Sequence, residues 1–551
     1  DWDFDFRGHK LNGDWQAALG VTVRVPHLSW VSMAGEAKRD YPASINYQSP
    51  WYKKYSCVED HFARVNTAMT RGVPIVKVGV IHPVESFWLH WGPNDKSGLI
   101  REELDKNFQD LTKWLLFGSI DFDFISESLL PGLCPHADAP LRVGEMKYDV
   151  IVVPGCETLR SSTLDRLEKF REDGGRVIFL GEAPTLEDAQ PSDRGERLFK
   201  NSEHIPYQRA SLLSARDLSR TVFIRDDDGY LSDGLIYQLR EDTDSLWLFI
   251  AHAVEPYDCN ITNFNDIKIT VKGEYSPVIY DTLSGEIKPA EFDYLNGNTV
   301  ISARLYEYDS LLLRLYDGCS EGQYTEPEER EDKKITAPCE TEYELDEPNV
   351  MLLDMARFAL DGDELSGEEE ELLRADNICR EKLGFPLRSG AVMQPWVIHE
   401  PVPEHKIKLR FTIDSALALD GVSLALEDAE KAQITLNGQA VDNTVTGWYV
   451  DKSIKTVNLP KIEQGENIVL PFGKRTNVEW CYLLGDFGVE VRGRLKKLVK
   501  RPEKLAFGSI VNQGLPFYGG CVTYRFGVDC PGGDIKITVP HYDGALTDIF
   551  V

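Results

Sequence analysis

The feature that most constrains the fold is a change of hydrophobic period along the chain of 551 residues. Within residues 72–200, short apolar runs alternate with helical patterns, namely runs at 76–81, 121–125, 148–153 and 176–181 and helices at 100–117 and 162–173. Strands that alternate with helices at this spacing predict a parallel sheet with right-handed crossovers. Residues 72–200 are therefore predicted to form an α/β module.

The pattern becomes all-β after a polar connection. Between residues 201 and 318 the apolar runs are short and separated by turns, and they lie at 235–239, 246–250, 267–271, 277–281, 299–302 and 311–315. The dipeptide Asn296-Gly297 is a strong signal for a hairpin turn. This segment is predicted to be an antiparallel β-sandwich.

The C-terminal part of the chain has a second region of strand patterns. Residues 319–348 are acidic and contain several prolines, which predicts an inter-domain linker. From 349 to 551, a helix at 367–383 precedes strand patterns at 407–411, 422–426, 433–438 and 455–459. We expect a second β-sandwich here.

The first 71 residues combine strand patterns with one amphipathic helix. Trp2, Phe4 and Phe6 alternate with Asp1, Asp3 and Asp5, which is the period of a half-buried strand. A second apolar strand is predicted at 19–25. Residues 50–72 place apolar side chains at helical spacing, and Gly72 supplies a C-terminal stop.

Charge and cysteine usage exclude several classes of function. A net charge of −30 disfavours nucleic acid, whose phosphates demand clustered lysine and arginine, and it equally disfavours an anionic membrane surface. No apolar run is long enough for a transmembrane helix. The ten cysteines form no CxxC pair, which predicts reduced thiols and a cytoplasmic protein. An acidic surface suits a protein that handles neutral sugars, although it also simply favours solubility.

The N-terminal segment carries a family resemblance. Residues 2–51 include the stretches WDFDFRGHK, GDWQAALGVTVRVPHLSW and GEAKRDYPASINYQSPW. These stretches resemble bacterial multidomain glycoside hydrolases with a (β/α)8 catalytic barrel, nearest to the family 106 α-L-rhamnosidase-like proteins and more distantly to family 42 β-galactosidases. The resemblance implies that residues 1–71 are the C-terminal part of the barrel and that this chain is the C-terminal portion of the enzyme. It further implies that the catalytic domain is incomplete in this chain, which is then expected to show little or no turnover alone.

The same resemblance extends to the later segments. Residues 72–200 resemble a glutamine-amidotransferase-like, flavodoxin-like module. Residues 447–451, 479–488 and 513–520, rich in Trp, Tyr and Gly, look like galactose-binding-like jelly rolls, so that residues 349–551 are expected to be such a domain. The implied substrate is an oligosaccharide or glycoside, and a homo-oligomer is left open.

Glycoside hydrolysis needs two carboxyl groups that flank the scissile bond. Glu36 is the first candidate, since it follows Gly35 in a loop and has Lys38 and Arg39 close by to tune its charge state. Asp40 is the second candidate. The alternative interpretation is that both carboxylates pair with Lys38 and Arg39 and merely hold the loop.

Other polar and aromatic residues are predicted to bind the substrate. They are Asp3, Asp5, Arg7, His9, Trp15, His27, Trp30 and Arg39. Asp3, Asp5, His9, His27, Glu36 and Asp40 are expected to converge on one concave face, surrounded by an apolar wall of Trp2, Trp15 and Trp30. The resemblance also implies calcium, for which Asp3 and Asp5 would supply hard oxygen ligands. No stretch has EF-hand spacing, so the metal ligands are not identified.

Two further classes of function compete with hydrolysis. The chain could be a non-catalytic carbohydrate-binding assembly that holds a sugar on the Trp and Tyr residues of its C-terminal domain. Alternatively, Cys156 after Pro154-Gly155 could be the nucleophile of an amidotransferase-like or peptidase-like module, but no glycine follows it as a nucleophile elbow requires. Trp88, His90 and Trp91 form a loop predicted to be exposed, with a role in sugar contact or in interdomain packing.

Overall fold

The computed structural model describes residues 2–39, 44–215, 218–258, 263–318, 335–388, 405–473, 478–529, 536–539 and 544–550. The chain divides into two compact units. One, here the mixed unit, comprises Arg7–Arg24 and Cys57–Glu328. The other, here the sandwich unit, comprises Asp1–Phe6, Val25–Ser56 and Glu329–Val551. The mixed unit is thus inserted into the sequence of the sandwich unit.

The helices of the mixed unit are α1 (Phe6–Ala18), α2 (Ser56–Met69), α3 (Val84–Leu89), α4 (Asn94–Phe117), α5 (Leu130–Leu133), α6 (Ser161–Glu172), α7 (Arg194–Lys200) and α8 (Arg209–Ser214). The first residues of α1 and α2, Phe6 and Ser56, are assigned to the sandwich unit. The strands of its α/β part are β1 (Val73–Pro74), β2 (Val78–Ile81), β3 (Phe122–Ile125), β4 (Leu141–Val143), β5 (Met146–Tyr148), β6 (Val150–Pro154), β7 (Thr158–Leu159), β8 (Arg176–Leu180), β9 (Leu186–Glu187), β10 (Gln190–Pro191) and β11 (Glu203–Ile205).

A five-stranded parallel sheet organises the α/β module. Its order is β11-β8-β6-β2-β3, and every neighbouring pair is parallel. Numbered as they occur in the chain, these strands follow the order 2-1-3-4-5, which is that of flavodoxin-like folds. β2 and β6 are buried at every position, as expected for strands covered by helices on both faces. The predicted parallel module is confirmed, although β1 pairs with the next sandwich instead.

The rest of the mixed unit is an antiparallel sandwich, as predicted. Its strands are β12 (Val222–Asp226), β13 (Leu235–Glu241), β14 (Ser245–His252), β15 (Phe264–Lys272), β16 (Tyr275–Tyr280), β17 (Ile287–Pro289), β18 (Glu291–Leu295), β19 (Asn298–Tyr306) and β20 (Ser310–Asp317). One sheet has the order β1-β13-β14-β20-β16-β17 and the other β12-β15-β19-β18. Alternating side chains such as Leu248, Ile269 and Leu313 fill the core. Asn296 and Gly297 both have positive φ in the turn between β18 and β19, which the Asn-Gly dipeptide predicts.

The N-terminal residues correct two predictions. The described residues in 2–39 and 44–71 contain no β-strand, so the strands predicted at 2–6 and 19–25 are wrong. α1 forms instead, because Phe6, His9, Asp14 and Ala17 fall at helical spacing and are buried. Residues 2–5 and 19–25, which flank α1, form turns and irregular chain. The helix predicted at 50–72 is confirmed as α2, and the predicted barrel strands are not seen among these residues.

The sandwich unit packs two sheets face to face. Its strands and its helix are β21 (Glu340–Leu345), β22 (Asn349–Leu353), β23 (Met355–Leu360), β24 (Glu370–Glu371), α9 (Leu372–Leu383), β25 (Ile407–Ser415), β26 (Ser423–Glu427), β27 (Gln433–Leu436), β28 (Gln439–Val441), β29 (Val445–Tyr449), β30 (Asp451–Asn458), β31 (Gly465–Gly473), β32 (Cys481–Gly485), β33 (Gly488–Arg492), β34 (Leu495–Val499), β35 (Leu505–Ala506) and β36 (Val522–Arg525). The first sheet has five strands, in the order β22-β32-β26-β30-β29. The second is built on β24-β23-β25-β31-β27-β28, with β34 beside β25. Met351, Phe411 and Leu424 belong to the large core between them.

The predicted linker is only partly a linker. Residues 319–334 lie outside the described residues, but β21 occupies 340–345 and pairs with β35 and β36. Its alternating burial, with Thr341 and Tyr343 inside, explains why a segment rich in glutamate still forms a strand. The acidic composition describes only the exposed face of this strand.

Gly72 offers a test of how tightly α2 is joined to the sandwich of the mixed unit. It has φ of +55°, and a Cβ there would lie 1.8 Å from the carbonyl oxygen of Glu241. Gly72→Ala is expected to destabilise by about 3 kcal/mol or more, since strain and a backbone clash act together. Gly174→Ala, with φ of +91° but open space around the Cβ, is expected to cost about 1 kcal/mol. Equal thermal unfolding midpoints for the two variants would contradict the close approach.

Candidate functional site

The outward face of the five-stranded sheet brings together the aromatic stretches singled out in the sequence. Because side chains alternate along a strand, Leu424 and Leu483 enter the core whereas Ala425 and Leu484 face outward. The outward residues form their own small cluster, against which Tyr449, Tyr482 and Phe517 pack. The ring centroids of Tyr449 and Tyr482 are 5.2 Å apart. We call this surface the aromatic face.

Two adjacent carboxyl groups border the aromatic face. Asp346 Oδ1 accepts hydrogen bonds from the hydroxyl of Tyr518 at 2.7 Å and from the backbone N–H of Cys521 at 2.8 Å. Burial, with the charge of Asp346 adding to it, raises the pKa of Glu347 to about 6. Burial also raises the pKa of Tyr449, and the charge of Glu347 contributes to that rise. The Glu347 carboxyl therefore titrates within about one pH unit of neutrality.

Gly520 keeps the space between these groups open. A Cβ on Gly520 would stand 2.7 Å from Asp346 Oδ1, 2.7 Å from the Tyr518 hydroxyl and 2.8 Å from Glu347 Oε1. The three oxygen atoms thus surround the position that a Cβ would occupy, so that only glycine fits there without displacing them. A side chain at this position would displace them.

A buried network of ion pairs lies beside this surface and includes Glu36. Lys38 Nζ donates to Glu427 Oε1 at 2.5 Å and to Glu479 Oε2 at 3.0 Å. The guanidinium of Arg39 holds Glu479 through Nη1 and Nη2, both at 2.8 Å. Four carboxylates and four cations take part in the network: Glu36, Asp376, Glu427, Glu479, Lys38, Arg39, Arg380 and Arg388.

Glu36 is held from two sides in this network. Its carboxylate accepts from Arg39 Nε at 3.1 Å and from Arg388 Nε. Burial alone would raise the pKa of Glu36, but the hydrogen bonds and charges of the two guanidinium groups outweigh it and lower the pKa. Glu36 is consequently ionised at neutral pH. The contact with Arg39 is the loop-holding arrangement that the sequence left as an alternative.

Glu479 is the most deeply engaged carboxylate of the network. Its side chain is 3% exposed and contacts Lys38, Arg39 and Arg388. Burial opposes ionisation, yet these three cations lower the pKa of Glu479 to about 2. Burial raises the pKa of Glu427 in spite of its contact with Lys38. Because each buried charge has an opposite partner, the network fastens residues 35–39 to the second sandwich.

Asp451 provides a second contact between the N-terminal segment of the sandwich unit and its five-stranded sheet. Its side chain accepts from the hydroxyl of Tyr47 at 2.8 Å, from Gln48 Nε2 at 3.1 Å and from the hydroxyl of Ser453 at 2.6 Å. The ring of Trp448, which is 49% exposed, meets the ring of Tyr47 edge-on at 5.7 Å. Trp448 thus presents an oriented, accessible indole near the aromatic face.

The predicted site residues are only partly brought together. Glu36 and Arg39 meet as described, and the His27 and Trp30 rings make an edge contact at 5.8 Å. Asp3 is exposed and Asp5 is half-buried, both in the sandwich unit. Arg7, His9 and Trp15 belong to the mixed unit, on α1. Asp40 lies outside the described residues.

The mixed unit contains a buried cluster that the sequence interpretation missed. Nε2 of His61 lies 2.6 Å from Asp14 Oδ1, and Lys10 Nζ donates to Asp14 Oδ2 at 2.6 Å. Burial would raise the pKa of Asp14, but Lys10 and His61 lower it, whereas burial lowers the pKa of His61. The spacing of Lys10 and Asp14, four residues apart, is the signal for a helical ion pair that could have revealed it. The cluster joins α1 to α2.

Cys156 does not have the features of a catalytic thiol. It is buried, and this burial raises the pKa of its thiol well above the ordinary value, with Glu127 and Glu85 contributing. The left-handed residue of the turn is Gly155, with φ of +54°, whereas a nucleophile elbow strains the nucleophile itself. A thiol that stays protonated is a poor nucleophile. These properties favour the structural interpretation of the module.

Among the described residues, no group of three or more His, Cys, Asp or Glu side chains is positioned to hold a metal ion. The calcium role of Asp3 and Asp5 stays a prediction. No helix in the described part of the chain is both long and apolar enough to cross a bilayer.

No protein-family model matches the sequence, and no curated protein matches it. Among solved structures, the chain is similar to a rhamnosidase from Novosphingobium sp. PP1Y, at 14% identity and a TM-score of 0.41 over 86% of this chain and 42% of that one. It is also similar to an alpha-L-fucosidase isoenzyme from Paenibacillus thiaminolyticus, at 11% identity and a TM-score of 0.34 over 57% of each chain. A GH42 beta-galactosidase from G. stearothermophilus gives 12% identity and a TM-score of 0.31 over 47% of this chain and 44% of that one. The chain spans less than two thirds of the length of each of these glycosidases.

The ionisation of Glu479 predicts that the free energy of unfolding decreases at acidic pH. Because the pKa of Glu479 falls from an ordinary 4.5 to about 2 on folding, its contribution is complete above pH 4.5 and is lost as the pH falls towards 2. Glu479→Gln is therefore expected to remove about 3 kcal/mol of this pH dependence. Unfolding free energies of wild type and variant should converge as the pH approaches 2.

The control for this measurement is Glu490→Gln, whose side chain is 52% exposed in the same unit. Burial raises the pKa values of Glu427 and Asp376, so their contributions have the opposite sign, but both groups are present in every protein compared. A constant difference between wild type and Glu479→Gln from pH 6 to pH 2 would contradict the interpretation.

Proposed function

We propose that this chain belongs to a glycoside hydrolase that acts on O-glycosidic bonds of oligosaccharides, α-L-rhamnosidase-like in type, and that the aromatic face binds a sugar. The observation that carries the proposal is the meeting of three sequence-distant aromatic stretches beside a carboxyl pair. Tyr449, Tyr482 and Phe517 come from β29, β32 and the segment after β35. Aromatic rings with a few placed polar groups are what a ligand site requires.

The order of the modules supports the same proposal. The resemblance implies a flavodoxin-like module and a C-terminal β domain, and the strand pattern predicts an antiparallel sandwich between them; an α/β module and two sandwiches occur in that order along the chain. Fold alone does not define an activity, so the chemistry has to come from the side chains. In this proposal residues 1–71 belong to the catalytic domain, residues 72–200 and 201–318 are structural modules, and residues 349–551 bind carbohydrate.

The carboxyl pair suits sugar hydroxyl groups. Below pH 6 the protonated Glu347 carboxyl can donate a hydrogen bond, while the Asp346 side chain accepts hydrogen bonds through Oδ1. A hydroxyl group is both a donor and an acceptor, so that the pair complements it. The rings of Tyr449 and Tyr482 would cover the apolar side of the sugar.

Glu36 has a place in this proposal as an ionised carboxylate. The guanidinium groups of Arg39 and Arg388 keep it charged, which suits a nucleophile, a base or an electrostatic stabiliser but not a proton donor at neutral pH. Asp40 stays a predicted partner. The substrate roles of Arg7, His9, Trp15, His27 and Trp30 also stay predictions.

A second candidate function is that of a non-catalytic carbohydrate-binding assembly. It is favoured by the complete pairing within the ion network, in which Glu36 serves to hold residues 35–39 in place. A β-galactosidase-like activity is the remaining variant of the enzymatic proposal. The enzymatic and the non-catalytic proposals both predict that a sugar binds on the aromatic face. They differ in whether the sugar is hydrolysed.

Sugar binding on the aromatic face should depend on pH through Glu347. Because burial raises the pKa of Glu347 to about 6, affinity for rhamnosides or galactosides is expected to decrease as the pH rises from 5 to 7. Glu347→Gln, which keeps a donor, should bind with an affinity independent of pH over this range. Titration calorimetry of the whole chain provides the measurement, with Glu490→Gln as control. Identical pH profiles for wild type and Glu347→Gln would exclude Glu347 from the site.

A matched pair of variants separates catalysis by Glu36 from loop attachment. Glu36→Gln and Glu479→Gln both weaken the ion network, but only Glu36 is proposed to take part in hydrolysis. The comparison is made in the enzyme of which this chain is the proposed C-terminal portion, because the chain alone is expected to show little or no turnover. With aryl rhamnosides and aryl galactosides as substrates, Glu36→Gln in that enzyme is expected to lower turnover by at least about 100-fold, and Glu479→Gln to lower mainly the unfolding temperature. If both variants lose turnover and stability in the same proportion, the non-catalytic assembly is favoured.

A further inference from the structure

The strand order of the α/β module reverses between β2 and β6, and we call the space outside the carboxyl ends of these two strands the crevice. β2 lies between β3 and β6, so the connections after β2 and β6 leave the sheet in opposite directions. In open α/β sheets, ligands bind outside the carboxyl ends of the strands at this topological switch point. The two connections are joined here by the hydroxyl of Ser86, which accepts from the backbone N–H groups of Glu157 at 2.9 Å and Thr158 at 3.3 Å.

Two tryptophans at the rim of the crevice are unusually exposed. Trp88 lies on α3 with 59% of its surface accessible, and Trp91 follows the helix with 72% accessible. Indole rings rarely stay this exposed without a partner, because each carries a large apolar surface. The guanidinium of Arg101 lies 5.3 Å from the centroid of Trp91, and the ring of Phe87 lies 6.3 Å from it, so this ring is oriented.

A polar pair lies between the two indoles in the sequence and reaches the crevice. Nε2 of His90 is 2.6 Å from Glu157 Oε2, and both side chains keep contact with solvent, at 25% and 44% exposure. Arg160 Nε donates to Glu85 at 2.7 Å behind this pair, and its backbone N–H donates to the buried Glu127. The His90–Glu157 pair therefore sits on a rigid support.

The floor of the crevice lacks a reactive nucleophile. Cys156, which precedes Glu157, is buried with a protonated thiol, as described above. The crevice thus has apolar ring faces, a hydrogen-bonding pair and no nucleophile at its floor. Such a combination is suited to a site that binds a ligand and does not catalyse a reaction.

We propose that the crevice defined by Trp88, His90, Trp91 and Glu157 is a second carbohydrate site, which binds a single pyranose ring by stacking on an indole and by hydrogen bonds to the His90–Glu157 pair. The ligand class is a neutral hexose or deoxyhexose, because the pair offers both a donor and an acceptor to hydroxyl groups. This site lies in the mixed unit and does not depend on the aromatic face of the sandwich unit.

The test reads each tryptophan separately in the whole chain. The protein is labelled with 5-fluorotryptophan, and the fluorine resonances of Trp88 and Trp91 are assigned with Trp88→Phe and Trp91→Phe. Methyl glycosides of rhamnose, fucose, galactose and glucose are then titrated to concentrations well above about 1 mM, the range of weak single-sugar binding. At least one glycoside should shift the Trp88 or Trp91 resonance saturably.

The variant Glu157→Gln should weaken this binding about tenfold, since it removes a charge-assisted hydrogen bond of about 1.5 kcal/mol. Glu145→Gln, whose side chain is 95% exposed in the same module, should bind as the wild type does. Absence of a saturable shift with all four glycosides overturns the proposal. A shift that depends on protein concentration without sugar also overturns it and identifies a second copy of the chain as the occupant. The resonances of Trp448 and Trp480 report on the sandwich unit, so failure of the aromatic-face proposal would be seen separately.

Discussion

The sandwich unit depends on the ionisation of one buried carboxylate. Glu479 lies almost completely out of solvent and would be unfavourable there as a lone charge. Lys38, Arg39 and Arg388 compensate for its burial, and two of these cations also hold Glu36. Because Glu36, Arg39 and Arg388 each contact two or more opposite charges, the removal of one group alters several ion pairs at once. The network therefore behaves as one element, and the position of residues 35–39 on the second sandwich follows from it.

The arrangement also separates positioning from recognition. In the ion network, contacts with cations lower the pKa values of Glu36 and Glu479, so that these two carboxylates stay charged at neutral pH. Glu347 differs, because burial moves its pKa towards neutrality and no cation offsets that shift. A carboxyl group near its point of titration is suited to exchange hydrogen bonds with a ligand. This contrast distinguishes the aromatic face from the adjacent ion network.

The parts of the fold that were predictable from sequence are those with a long local period. The alternation of β2, α4, β3, β6, α6 and β8 could be predicted because each element is encoded within its own residues. The strand predicted at 2–6 was wrong: residues 2–5 form a turn and irregular chain, and Phe6 is the first residue of α1, whose helical pattern extends to Ala18. The partners of Glu36 could not be predicted, since Arg388 lies 352 residues away and is recruited only by tertiary packing. The aromatic stretches were predicted as separate motifs, but their meeting on one sheet face required the register of β32 and β26.

The mixed unit is inserted into the sequence of the sandwich unit twice, between residues 6 and 25 and between residues 56 and 329, and this has a consequence for biosynthesis. Arg39 and Glu479 are separated by 440 residues, so at ribosomal rates about 20–90 s pass between the emergence of the two side chains. During that interval the mixed unit has all of its own sequence and can fold. Lys38 and Arg39 in the early segment cannot pair with Glu479 until that residue has been synthesised. Closing so long a loop is an entropic cost that a prefolded insert reduces, because it brings the two ends of the chain nearer to each other before the last strands are made.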